Sequence, residues 1–196
     1  MIGRREDLDL YFDTVILRYN CGDMEAFLSY RPFNSQTQGP ATGLLLSCVM
    51  GGIDTMGGML FGFEKGSGRR TVAFMKEHMD IPEKVGEVLY DFARCGMFHE
   101  SSPKSGIGIR SDWIEDGALF HSSAGDNTPH LNVVELARKY LRAIEKINRD
   151  RRFLTHLPEL PDDPIPAEVR AMTQPYPGGI FGQGTTTAPT TTAPHL

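Results

Sequence analysis

The chain has 196 residues and a net charge of −5, with 40% hydrophobic and 23% charged residues. That length leaves room for one domain with a real core and argues against a second independent one. The acidic balance excludes broad, non-specific attraction to polyphosphate, so any nucleic-acid contact has to be local.

The N-terminal run MIGRREDLDLYF follows its basic residues with acids and lacks a long apolar stretch, which does not fit a signal peptide. Three widely spaced cysteines, Cys21, Cys48 and Cys95, fit reduced thiols better than a disulfide framework and point to the cytoplasm.

Residues from about Glu6 to Tyr30 read as a first long helix. Leu8, Phe12, Val15, Ile16, Tyr19, Phe27 and Leu28 supply the stripe, and Cys21-Gly22-Asp23 is a candidate kink. The proline-containing stretch 31–40 is a connection. A second helix, about Ala41 to Phe61, is nearly apolar throughout and reads as the central one. It is long enough to cross a membrane, but Asp54 and the glycine pairs Gly51-Gly52 and Gly57-Gly58 favour a buried helix, and no membrane role is expected. Each of those glycines weakens a helix by about 1 kcal/mol relative to alanine, so close approach of a neighbouring helix or subunit is the expected compensation. Asp54 needs a partner on so apolar a helix; Arg94 is one candidate, and a solvated groove is the alternative.

Residues 64–70 read as a polar loop and Thr71 to Met79 as a short third helix. Pro82 and Glu83 then open a helix running toward Glu100, with Val85, Val88, Leu89, Phe92, Ala93 and Gly96 as its apolar stripe. Beyond it, residues 107–110 and 118–121 suggest a β-hairpin with Asp116-Gly117 near its turn, and Trp113 is expected to cover an edge of the core. The last helix spans roughly Leu131 to Arg152. Its buried side holds Val133, Val134, Leu136, Ala137, Tyr140, Leu141, Ile144 and Ile147, and its outer face is rich in charge. From residue 157 the chain is rich in proline and threonine, with TTTAP twice near its end. That composition predicts a disordered, flexible tail at 157–196 after a helical domain at 1–156.

The expected fold is therefore mainly α. It is a bundle of four to five helices with a small β-hairpin between the motif helix and the last helix, and a disordered C-terminal tail.

The chemistry concentrates at Arg94-Cys95-Gly96-Met97-Phe98-His99. On an ideal helix Arg94 and His99 point about 140° apart, so they converge only where the helix unwinds near Gly96. The pair offers a two-pronged phosphate binder and an imidazole that titrates near neutrality, the parts needed for acid–base cleavage of RNA through its own 2′-hydroxyl. That chemistry needs no metal or cofactor.

The stretch LYDFARCGMFHE resembles the R-x4-6-H motif of the HEPN superfamily, in the form LY-x-x-x-R-x-x-x-x-H of many uncharacterised bacterial members. The resemblance implies a helical bundle that dimerises and brings two motifs together across a shared cleft. In active members the arginine and histidine cleave RNA, often in toxin–antitoxin or antiviral defence systems, so RNA, a second copy of the chain and an antitoxin or defence protein are the implied partners. Mapped here, Arg94 would hold the scissile phosphate and His99 would move the proton, with Asp54, Tyr90 and Cys95 in support. Cys95 stands where many active members carry asparagine, and a thiol does not replace an amide as donor and acceptor.

Other readings of the same residues are a zinc site at Cys95 and His99 completed by His78, His121 or His130, and a Cys–His hydrolase. A further one is a non-catalytic helical dimer that binds a ligand or partner.

Overall fold

The computed structural model describes residues 4–29, 40–92, 106–110, 117–123 and 125–159. Among these, the architecture is mainly helical, five helices with a small three-stranded sheet, as expected for the class. Arg94, Cys95, His99, Trp113 and the proline- and threonine-rich segment from 160 onward lie outside the described residues.

The first helix is continuous where a kink was expected. It runs as α1 (Arg5–Tyr11), a π-helical stretch (Phe12–Cys21) and α2 (Gly22–Ser29), and Gly22 keeps helical angles of φ −59° and ψ −43°. Leu8, Phe12, Ile16, Cys21 and Met24 are buried along it. The step of five between Ile16 and Cys21 suits the wider i→i+5 turn of a π-helix, which is why Tyr19, placed in the stripe by an ideal period, is exposed.

α3 (Pro40–Phe61) is the central helix. Leu46, Val49, Met50, Ile53, Met56 and Met59 are wholly enclosed. Its segment Thr42–Phe61 is also, among the described residues, long and apolar enough to cross a membrane. The fold uses it as a core element, flanked by the first helix, α4 (Ser67–His78) and α6 (Val133–Arg149). The glycines explain how those neighbours approach so closely. A Cβ on Gly57 would lie 2.6 Å from the Arg70 carbonyl oxygen, and one on Gly52 would lie 2.5–2.6 Å from Asn20 Oδ1 and Tyr140 Oη. Packing between helices is thus the reason for these glycines, whereas Gly51 faces open space.

α3 stops where Gly62 takes φ +101° and its N–H donates to the Gly58 carbonyl at 2.9 Å, the left-handed glycine cap that ends many helices. The chain then turns straight into α4, which begins at Ser67, so residues 67–70 form a helical turn where a loop was expected. Pro82 caps α5 (Glu83–Leu89), and helical geometry continues through Phe92. Leu89 and Phe92 are buried in the core, while Val88, expected on the same stripe, is 48% exposed.

The sheet contains β1 (Gly108–Arg110), β2 (Phe120–Ser123) and β3 (Asp126–Asn132), in the order β1-β3-β2. Two strands lie close to where the hairpin was expected, but they do not pair with each other. β2 pairs antiparallel with β3 through a turn at Gly125, and β1 adds in parallel on the other side of β3. The 126–132 segment escapes a strand reading because Pro129 interrupts it. The register shifts between His121 and Ser123, opposite that proline, and a bulge is where a strand tolerates a residue with no N–H. β3 leads directly into α6. Asn132 caps the helix by accepting from the Glu135 N–H at 3.2 Å, and nine α6 residues, including Tyr140 and Ile144, are buried. A 3-10 turn, Arg151–Phe153, follows, and Arg151 returns to the first helix through Asp9 and Asp13 while its guanidinium sits 4.9 Å from the centre of the Phe12 ring.

Candidate functional site

Two of the sequence-predicted site residues, Asp54 and Tyr90, fall within the described structure, on α3 and at the end of α5. The two catalytic candidates, Arg94 and His99, and Cys95 do not.

Asp54 sits in the helical hairpin formed by α3 and α4. Arg70 meets it there; Arg94, the partner named from the sequence, lies outside the described residues. Arg70 Nε donates to Oδ1 at 3.0 Å and its Nη2 donates to Oδ2 at 3.1 Å. Ser67 Oγ and Thr71 Oγ1 donate to the same carboxylate at 2.8 and 3.1 Å. Arg70 also donates to the carbonyls of Phe63 and Lys65, and its guanidinium lies 5.3 Å from the centre of the Phe63 ring. With side-chain exposures of 17% and 14%, Asp54 and Arg70 form a largely dehydrated pair that joins α3, the 62–66 turn and α4. In this cluster Asp54 ties α3 to α4. A sequence signal for the pairing did exist, because Asp54 and Arg70 lie eight residues to either side of Gly62 and a tight helical hairpin brings such positions together.

Tyr90 packs its ring against the backbone of Gly68, where a Cβ would come within 3.0 Å of Tyr90 Cε1. This contact forms the wall of a cleft of about 620 Å³ between α4 and α5. From α4 it is lined by Gly68, Arg69, Val72, Ala73, Lys76 and Glu77, and from α5 by Glu83 and Glu87. Lys76 Nζ donates to Glu83 Oε2 at 2.7 Å across the two helices, and that contact raises the lysine pKa and lowers the glutamate pKa. Both side chains are solvent-exposed, so the pair orders the helices with little net stabilisation. The cleft escaped sequence reading because its lining comes from two helices whose mutual rotation is set by tertiary packing.

The described histidines named for a zinc site occupy two places, the end of α4 and the sheet. His78 ends α4, half-buried between Phe74, stacked on it at 5.3 Å between centroids, and Phe61 at 6.2 Å. Burial lowers its pKa, and Lys146 adds to the lowering while Glu77 opposes it. His121 and His130 face each other across β2 and β3. Among the described residues, no group of three or more His, Cys, Asp or Glu side chains is placed to hold a metal. The Cys21 thiol is pushed up to about 12 by burial and by Glu25, and burial also raises the Cys48 thiol, so neither is poised as a thiolate.

In comparisons with known proteins, no family model, curated protein or solved structure matches the chain.

Proposed function

We propose that this protein is a HEPN-like, metal-independent endoribonuclease that works as a homodimer in the cytoplasm, within a toxin–antitoxin or antiviral defence system. The observation that carries the reading is the sequence Leu89-Tyr90 through Arg94 to His99, whose described start, Leu89 to Phe92, is helical and anchored by Leu89 and Phe92 in the core of a helical bundle. Such anchoring supports the reading because acid–base catalysis depends on side chains held in place by a rigid element.

In the proposed reaction Arg94 binds the scissile phosphate through its planar fork. His99 takes the proton from the adjacent 2′-hydroxyl, whose oxygen attacks phosphorus as the bond to the 5′-oxygen breaks. A proton returns to that leaving oxygen, giving a 2′,3′-cyclic phosphate and a 5′-hydroxyl.

The test is cleavage of single-stranded RNA by purified protein in EDTA. Wild type is expected to cut, and Arg94→Ala and His99→Ala to abolish cutting with little change in melting temperature. If wild type is inert on diverse RNAs, or if both variants simply unfold, the catalytic reading fails. A non-catalytic helical dimer that binds a ligand or partner then stands in its place, and the α4–α5 cleft is the observation that favours it.

A further inference from the structure

We propose that the cleft between α4 and α5 is a nucleotide subsite selective for guanine. It rests on the RNA-directed reading above and names the base that such an enzyme would hold there.

The volume of about 620 Å³ falls in the range that small-molecule sites occupy and accommodates one nucleotide. Three features of the lining specify the ligand. Tyr90, fixed against Gly68, is an aromatic surface of the kind on which bases stack. Arg69 is exposed and, among the described residues, its side chain makes no hydrogen bond or ion pair, so its guanidinium is available to a phosphate. Glu87 lies one helical turn before Tyr90 and therefore on the same face, and among the described residues its carboxylate likewise makes no hydrogen bond or ion pair.

The charges discriminate among ligands. With Glu77, Glu83 and Glu87 against Arg69 and Lys76, and Lys76 already engaged by Glu83, the cleft is a poor trap for bare phosphate. It suits a ligand that brings hydrogen-bond donors as well as an anion. Guanine is the one common RNA base whose pairing edge presents two adjacent donors, N1–H and the N2 amine, and a carboxylate accepts both at once. On adenine or cytosine the same carboxylate would meet a ring nitrogen lone pair beside the amine, and on uracil it would meet two flanking carbonyls.

The experiment is calorimetric titration of the full chain with 5′-GMP, 5′-AMP, 5′-CMP and 5′-UMP. GMP is expected to bind tightest. Arg69→Ala and Tyr90→Leu should each weaken it about tenfold, the scale of one lost stacking or charge-assisted contact. Glu87→Gln should bring GMP and AMP to similar affinity. Tyr90→Leu disturbs the packing on Gly68, so its melting temperature is measured alongside; Arg69→Ala alters only an exposed side chain and carries the test if Tyr90→Leu fails to fold. Absence of GMP binding, equal binding of all four nucleotides, or unchanged GMP affinity in Arg69→Ala would overturn the subsite. A protein that binds GMP but leaves RNA intact keeps the subsite and loses the ribonuclease reading. One that cuts RNA without binding GMP does the reverse.

Discussion

The Asp54 carboxylate on α3 and the Arg70 guanidinium on α4 meet in a two-pronged ion pair, with distances of 3.0 and 3.1 Å. Two hydroxyls and two backbone carbonyls add to the hydrogen bonding of the pair, so few of its lone pairs and protons are left unmatched inside the fold. The cluster fixes the hairpin that also forms one wall of the nucleotide cleft, since Ser67 and Arg70 lie either side of Gly68 and Arg69.

Removing one partner should therefore cost more than removing both. Arg70→Met leaves a largely dehydrated carboxylate and is expected to lower unfolding free energy by about 3 kcal/mol. Adding Asp54→Leu to it should restore part of the loss. Urea denaturation of the two single variants and the double variant checks this; a double variant weaker than both singles would show that the pair is not the coupling assumed.

The glycines of α3 should respond in opposite directions. A methyl group on Gly57 would press into the Arg70 carbonyl, 2.6 Å from its Cβ, and backbone cannot yield as a flexible side chain can. Gly57→Ala is expected to destabilise by about 1–3 kcal/mol. Gly51 has nothing within 4 Å, so Gly51→Ala should stabilise by about 0.5–1 kcal/mol through helix propensity. Thermal melts of the two variants side by side decide it.

The contrast shows what sequence could and could not reveal. The α3 boundaries were readable because a proline and a positive-φ glycine bracket a continuous apolar run. That Asp54 needs a cation was readable from the same run. That Arg70 supplies one was not, since the pairing depends on where the chain folds back after Gly62. The parallel β1–β3 pairing was hidden for a similar reason, because three residues carry too little pattern to announce a strand partner some twenty positions away. The cleft was least legible of all. Gly68 carries no sign that it meets Tyr90, and only the rotation of α4 against α5 turns the two into a wall.

His78 supplies a pH dependence. Its folded pKa is lowered, first by burial against Phe74 and Phe61, so the unfolded chain binds the proton more readily. Stability should then be fully present above the ordinary histidine pKa of about 6.5 and fall as pH drops through that value toward the folded pKa. His78→Phe keeps the ring packing and removes the proton site. Denaturation curves between pH 7.5 and about 5 should show a smaller loss of stability in the variant; identical slopes would remove His78 from the explanation.

Tyr140 leads to an outcome opposite to the usual one for a core substitution. Its ring is completely buried, tilted against Phe74 at 6.1 Å between centroids, yet among the described residues its hydroxyl has no hydrogen-bond partner. Burial also drives its pKa well above the ordinary value, so the phenol stays protonated and carries an unsatisfied donor. A buried hydroxyl left unpaired costs about 1–3 kcal/mol. Tyr140→Phe keeps the ring and deletes only that atom, and the space it vacates adjoins Gly52. The variant should be as stable as wild type or more so, by about 1 kcal/mol. A clear loss of stability in urea would show instead that the hydroxyl is satisfied in solution, by Asn20 Oδ1, which abuts the same glycine, or by a buried water.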